Sequence, residues 1–359
     1  MVAVAVVVGV VVGVVVGVAV VVGVVVAEII MEITYGVYEH LDAEIYHSHP
    51  FHSNSSLKHI YDGDPESYWA LYVAEPDEKP AWARRRKEVT RAMELGTILH
   101  AWLLEGVEPA RAPACAAILS SGKNKGGYCG KTATFAEFGS GCPLCGTHAK
   151  GRECAPLELG VSNEEFEDLS TARDRCMMDP AIRPYFETEG RVELSLFWHD
   201  EETGEDCRGR LDKLCEFTDG LEILDPKFGS ADPNSQEAIG YKMLDMHYDT
   251  QSAMYVDGAE ALIGQINKFN YLFISNGPPF DAYLWTVSEN DIEMGRRHYR
   301  MAIEEVRNRR ATNDWKTERF GQVSMTQLPK RAWDRVVTPQ TERGFHFSEF
   351  DAFAGLGGT

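Results

Sequence analysis

The chain is short of positive charge: 35 lysines and arginines face 55 aspartates and glutamates, for a formal net charge of −20. That deficit excludes a general polyanion-coating protein, so any contact with nucleic acid must use a local basic groove or bound cations. No basic start of the secretory kind precedes the cysteines. The eight of them (Cys115, Cys129, Cys142, Cys145, Cys154, Cys176, Cys207 and Cys215) therefore read as thiols or metal ligands in a reducing cytoplasm, and cytoplasmic localisation is expected. Residues 1–27 contain nothing but Val, Gly, Ala and the first Met. Their length would span a bilayer, and Gly9, Gly13 and Gly17 repeat a small-xxx-small spacing. No Lys or Arg flanks the run, however, and acids follow at once in "AEIIMEI". It reads as a low-complexity segment, and a membrane anchor is not expected.

What is present is an ordinary globular composition, 44% hydrophobic and 25% charged over 359 residues. Residues 28–110 read as mainly helical: "SNSSLKHI" offers serine caps, Asp64-Pro65 opens another helix, and "RRRKEVTRAMELGTILHAWLLEG" suggests one long amphipathic helix ending at Gly106. Residues 111–155 lose periodicity and become rich in Gly, Cys and Lys, which marks an insertion. From 156 to 334 a helix over 162–178 leads into the strands "RVELSLFWHD", "CRGRLDKLCEF" and "LEILDPKF". A helical stretch, the strands "KFNYLFIS" and "DAYLWTVS" and a charged helix over 289–310 follow, then a loose tail from 335 to 359. This order predicts a mixed α/β domain, α+β in its mixture of elements.

The stretch "LEILDPKFGS" breaks its own pattern, because an acid, a proline and a lysine follow an apolar strand. Proline has no N–H for the ladder and belongs at an edge, a bend or a bulge. With Asp219 and Gly220 as a two-residue turn, Asp212 faces Lys227 and Leu214 faces Asp225. Side chains alternate, so Asp212, Asp225 and Lys227 share one face. Two carboxylates converging there call for a cation, and Mg²⁺ with its oxygen shell suits them. The Pro226 carbonyl could turn toward that cation, and Lys227 could orient water or stabilise a phosphate oxygen. Gly96, one turn before His100, could leave space beside the imidazole, while Gln251 and Tyr255 lie at i and i+4 on one helix face.

In order and approximate spacing, "GTILH", "VELSLF", "GRLDKL", "LDPKF" and "QSAMY" resemble the PD-(D/E)XK nucleases, closest to the RecB-like branch and its RecE-type phage exonucleases, also called exonuclease VIII. The resemblance covers roughly residues 33 to 330 outside the insertion. It implies a restriction-endonuclease-like core, with His100, Asp212 and Asp225 as ligands of Mg²⁺ (or Mn²⁺) and Lys227 as the catalytic lysine. Gln251 and Tyr255 would line the site near the DNA backbone, and Glu193 matches an acid on the first core strand. Pro226 departs from the family, which usually has another residue between acid and lysine.

The insertion adds a second metal reading. Cys115, Cys129, Cys142, Cys145 and His148 supply thiolates and an imidazole in the number that tetrahedral Zn²⁺ takes, and a glycine-rich loop without its own core needs such a staple. The set Cys115, Cys129, Cys145 and His148 resembles short zinc-binding modules of viral proteins, with Cys142 as the competitor for Cys145. Iron–sulfur clusters of the nuclease superfamily typically use cysteines after the Gln/Tyr helix, and none occurs beyond Cys215. Zinc is therefore expected.

The resemblance implies an exodeoxyribonuclease that degrades double-stranded DNA from its ends, 5′ to 3′, in phage-type recombination. Its implied partners are duplex ends, a single-strand annealing protein of the RecT kind and further copies of the chain. Arg84, Arg85, Arg86 and Lys87 offer a local phosphate track. Two other classes compete: an endonuclease of restriction or genome processing, and a non-catalytic DNA-binding protein whose zinc module makes the contact.

Overall fold

The computed structural model describes residues 33–317, except 86–88, 134, 138, 157–159 and 231. The Val/Gly segment, the tail from 335, and Arg86 and Lys87 lie outside the described residues. The chain divides after Tyr35, and the fold below is that of the unit beginning at Gly36.

Its first part is mainly helical but opens on a strand. A short strand, β1 (Gly36–Tyr38), pairs antiparallel with the much later segment Ser195–Phe197. Three residues are too few to show a period of two, which is why pattern reading passes over it. Short capped helices follow: α1 (Ala43–Ser48), α2 (Asn54–Tyr61) behind a Ser53/Ser56 capping box, and α3 (Pro65–Tyr72) behind Asp64. The long helix expected from residue 84 begins only at Arg91, as α4 (Arg91–Leu104). Thr90 caps it through the N–H of Met93, and the Arg84 guanidinium is turned back onto the carbonyls of Lys79 and Asp77.

The insertion forms β2 (Phe135–Glu137), β3 (Pro143–Leu144), the four-residue α5 (Gly146–Ala149) and β4 (Cys154–Pro156), a small antiparallel sheet in the order β3-β2-β4. Then come α6 (Asn163–Met178) and α7 (Arg183–Glu187). Three long strands follow, β5 (Gly190–Asp200), β6 (Glu205–Phe217) and β7 (Gly220–Gly229). The chain closes with α8 (Gln236–Met246), α9 (Tyr248–Leu262), β8 (Ile266–Ser275), β9 (Ala282–Thr286) and α10 (Glu289–Thr312).

The main sheet runs β1-β5-β6-β7-β8-β9. Every neighbouring pair is antiparallel except β7 and β8, whose parallel pairing requires the crossover that α8 and α9 supply. One face packs against α2, α3, α9 and α10 around Leu57, Tyr68, Trp198, Phe269 and Tyr271. The other packs against α4, α6 and α7 around Leu99, Trp102, Phe166, Leu224 and Leu272. The architecture is mixed α/β, as the element order predicts. No helix among the described residues is long and apolar enough to cross a membrane.

Helix α9 is held from both sides by close approach. A Cβ on Gly258 would lie 2.7 Å from the Trp198 indole of β5, and one on Gly295 of α10 would lie 2.2 Å from the backbone oxygen of Asp249. The second contact is to backbone, which cannot swing aside. Gly295→Ala should therefore cost about 1–3 kcal/mol in urea unfolding at unchanged m-value. An unaltered midpoint would show that α9 and α10 do not cross this closely.

Candidate active site

The hairpin at the centre of the sheet departs from the expected register. Phe217 pairs with Gly220, Glu216 with Leu221 and Lys213 with Leu224, so the turn residues are Thr218 and Asp219. Asp212 therefore does not face Lys227. Gly220 adopts φ +138° and leaves room for Asn267, whose side-chain amide donates to the Asp219 carbonyl at 2.5 Å; a Cβ on Gly220 would meet that amide at 2.2 Å. The glycine serves this clamp rather than a turn position. The slip is by two residues, an even number, so the side chains keep their faces.

The last rung between β6 and β7 is Lys213–Leu224. Beyond it the strands part: β6 stays bonded to β5 down to Glu205, and β7 stays bonded to β8 up to Gly229. Asp212 and Asp225 are the first residues past that rung. Pro226 sits where β7 has no β6 partner, so its missing N–H costs no rung on that side.

Into this parting come side chains from five elements. Asp225, 1% exposed at its side chain, has Oδ1 2.5 Å from the Lys227 ammonium, and its Oδ2 accepts a hydrogen bond from the Gln251 amide of α9 at 3.0 Å. No donor among the described residues is aligned on Asp225 Oδ1 for a hydrogen bond, and the ammonium meets it as a charge. His100 of α4 places Nε2 3.4 Å from Asp212 Oδ2 and Nδ1 3.7 Å from Glu193 Oε1. Donor atoms of His100, Glu193 and Asp212 all lie within 4.8 Å of one another. The Tyr255 ring lies against Gly209, where a Cβ would come within 2.9 Å.

Glu193 has a left-handed backbone, φ +52°, inside a strand. It is missing from the ladder between the pairs Val192–Lys213 and Leu194–Leu211. Its neighbours Val192 and Leu194, which a regular strand would put on one face, pack into opposite cores. Such strain persists only where the surroundings impose it, and it gathers at functional sites.

Gly96 has a plainer role than expected. Its position faces Phe228 at 3.8 Å, ordinary contact distance, so a Cβ would fit and the glycine opens no special space beside His100.

The electrostatics follow from packing acids together. Burial, and then the charge of Asp212, push Asp225 up to about 7. Burial opposes ionisation of Asp212 too, but the hydrogen bond from His100 and the charge of Lys227 hold it below the usual carboxylate value. Burial alone would lower His100, yet Asp212, Glu193 and Asp225 outweigh it and raise it. Lys227 also rises, because Asp225 and Asp212 outweigh its burial. A place that drives both an acid and a histidine toward protonation gains from a cation.

Two contributors escape sequence reading. Arg210 on β6 lies 3.7 Å from Glu193 Oε2 and is tied to Ser195 Oγ and the Leu41 carbonyl. Tyr248 at the start of α9 sets its ring 5.0 Å from the Lys227 ammonium. Signals existed for both, two residues before Asp212 in the strand period and one turn before Gln251 in the helix.

The insertion gathers a second donor set. Cys115, Cys129, Cys145 and His148 bring Sγ and imidazole atoms within 4.8 Å of one another, and Cys142 is not among them. Cys115 Sγ and Cys145 Sγ lie 3.5 and 3.4 Å from His148 Nδ1, and Cys129 Sγ lies 4.0 Å from Cys145 Sγ. A zinc tetrahedron with arms of about 2.3 Å to sulfur and 2.1 Å to nitrogen has edges of roughly 3.6–3.8 Å. Burial works against the Cys145 thiolate, yet the N–H groups of His148 and Thr147 and the His148 ring bring it down to about 6. The donor set fits zinc in type, number and spacing.

Comparison with known proteins adds little. No family model matches the chain, and no curated protein matches it. Among solved structures, a proposed exonuclease from Eubacterium rectale is similar over 82% of this chain and 98% of its own, with 13% identity and a TM-score of 0.49. Another, SSO0001, is similar over 32% of this chain and 50% of its own, with 14% identity and a TM-score of 0.22. Likenesses this distant carry no chemistry with them, so function has to come from the chain's own side chains.

Proposed function

We propose that the chain is a divalent-metal-dependent deoxyribonuclease that hydrolyses phosphodiester bonds at the ends of double-stranded DNA. The observation that carries this reading is the meeting of Asp212, Asp225 and Lys227, with His100 and Glu193, where β6 and β7 part. A solvated strand face needs no such convergence, nor does DNA binding alone.

Asp212 and Asp225 would hold Mg²⁺ or Mn²⁺, with His100 and Glu193 completing the shell on the Asp212 side. When bound, the ion supplies Lewis-acid polarisation of the phosphodiester and a more acidic water. The residues' own parts follow from their placement. Lys227 sits against Asp225, its side chain 22% exposed, where its ammonium can orient a water or stabilise charge growing on a phosphate oxygen. Gln251 fixes Asp225 through Oδ2 and leaves Oδ1 turned to the lysine. Arg210 keeps Glu193 oriented, and Tyr248 walls one side of Lys227.

The sequence resemblance to RecE-type exonucleases supports the choice of duplex ends, 5′ to 3′ polarity, assembly of several copies and hand-over of single strands to an annealing protein. The cysteine-rich module would carry one structural Zn²⁺ through Cys115, Cys129, Cys145 and His148.

The test is digestion of an end-labelled linear duplex beside the same sequence as a closed circle. Mg²⁺-dependent release of short products from the linear form, abolished by EDTA, is expected. Nicking or linearisation of the circle would make it an endonuclease; no cleavage with Mg²⁺ or Mn²⁺ would end the nuclease reading.

A further inference from the structure

We infer that the hairpin tip of the cysteine-rich module, with Lys123, Lys125 and Tyr128, is a grip for the backbone of the DNA substrate. The inference rests on the nuclease reading and gives that site its means of holding the duplex.

The chain's charge is unevenly distributed. Residues 111–154 hold six Lys and Arg against two Asp and Glu, whereas the remainder holds 29 against 53. Two of the six are engaged: Arg152 pairs with Glu137 at 2.8 Å, and Arg111 lies over the Phe166 ring. Lys123, Lys125, Lys131 and Lys150 are exposed, and none pairs with a carboxylate among the described residues. On a protein of net charge −20 this is the local basic surface that contact with a polyanion requires.

The hairpin is built to present those charges. Cys115 and Cys129 lie at its base, in the zinc-type cluster. Above them, the N–H of Cys129 donates to Ala117, that of Leu119 to Gly127 and that of Gly126 to Leu119, a ladder that carries residues 120–125 outward. Gly122 and Gly126 take left-handed backbone, φ +85° and +88°, at the tip between which Lys123 and Lys125 project. Below it Ile118 and Tyr128 face each other across the strands. They are 66% and 71% exposed, an apolar pair left open to solvent beside the lysines. Ammonium groups for phosphate oxygens, with an aromatic face for sugar or base, match the chemistry of nucleic-acid contact. An acidic polypeptide would meet the lysines but has less use for the ring. The tip is also tethered to the active site: α4, which carries His100, runs through residues 105–110 into the module, and Arg111 bridges to Val161 on the return.

The experiment uses the full-length chain carrying Asp225→Asn, so that turnover is stopped. Binding of a fluorescein-labelled duplex of about 30 base pairs is followed by anisotropy between about 50 and 200 mM salt. Adding Lys123→Ala and Lys125→Ala should weaken binding about 5- to 30-fold and flatten the log–log salt slope by about 1.8, two phosphate contacts' worth. Tyr128→Ala should weaken it several-fold with the slope unchanged. Zinc content and melting temperature should match the parent, which separates lost contact from lost fold. Equal affinity and slope with and without the two lysines would overturn the inference while leaving the nuclease reading in place. If wild-type protein neither binds nor cuts DNA, the nuclease reading fails first. Lysine-dependent binding of poly-glutamate, with duplex binding indifferent to the lysines, would assign the tip to an acidic polypeptide instead.

Discussion

Asp225→Asn and Lys227→Ala should each lower cleavage of a linear duplex by at least about 10²–10³-fold, since the first removes a carboxylate that would hold the ion and the second a preorganised positive charge beside the reacting phosphate. The two should differ in stability, which separates chemistry from folding. In the metal-free protein Asp225 is raised toward 7 by burial and by Asp212, whereas in the unfolded chain it ionises near the ordinary value of about 4. As pH rises from about 4 to 7 the unfolded chain sheds this proton and the folded chain keeps it. Asp225 therefore subtracts stability through that window, with its full effect above it. Asn cannot ionise, so Asp225→Asn should flatten this fall and leave the protein, in EDTA, at least as stable at pH 7.5 as the parent. Lys227→Ala should do the opposite, because it leaves two neighbouring acids without their positive partner. Denaturant melts at pH 5 and 7.5 beside the cleavage assay would check both. An Asp225→Asn protein that keeps more than a few per cent of activity would remove Asp225 from the chemistry.

Cys129→Ser should release a zinc ion. Protein purified without chelator should carry close to one zinc per chain, and the variant should carry almost none, because a neutral hydroxyl replaces a thiolate. The module has little else to hold it: its buried apolar cluster is Leu144 with Cys115 and Cys145. Binding of structural zinc is worth about 10–16 kcal/mol in small peptides at neutral pH, far more than such a cluster supplies. Limited proteolysis of the variant should therefore cut within residues 111–155, while the α/β core, with its own buried faces, stays resistant. Metal analysis that finds no zinc in the parent, or equal zinc in the variant, would end the assignment. Nuclease activity should fall in part rather than vanish, since Asp212, Asp225 and Lys227 stand on β6 and β7. Duplex affinity should fall with it if the hairpin tip grips DNA.

Local chemistry was legible from the residues alone. Hydrophobic alternation runs long enough in β5, β6 and β7 to announce three strands, and it grouped Asp212, Asp225 and Lys227 even with the turn misplaced, although in β6 the period of two breaks at Asp212, where Leu211 and Leu214 pack into one core. The clustering of Cys115, Cys129, Cys145 and His148 was readable for a related reason. Thiolates and imidazole have few other tasks in a glycine-rich loop, and Cys145 and His148 are three residues apart on one short turn. What the residues could not disclose depends on competition between distant partners. Whether β6 and β7 stay zipped past Lys213–Leu224 is decided by β5 and β8, which keep bonding to them beyond that rung. Three-residue β1 exists only because β5 offers an edge. The left-handed Glu193 looks like any strand residue until the two cores claim Leu194 and Val192 from opposite sides. Arg84 folds back onto the carbonyls of Asp77 and Lys79, and α4 starts only at Arg91, nearer His100 than expected. Periodicity reports which side of an element is apolar; only the packed molecule chooses its neighbours, and the neighbours aim the side chains.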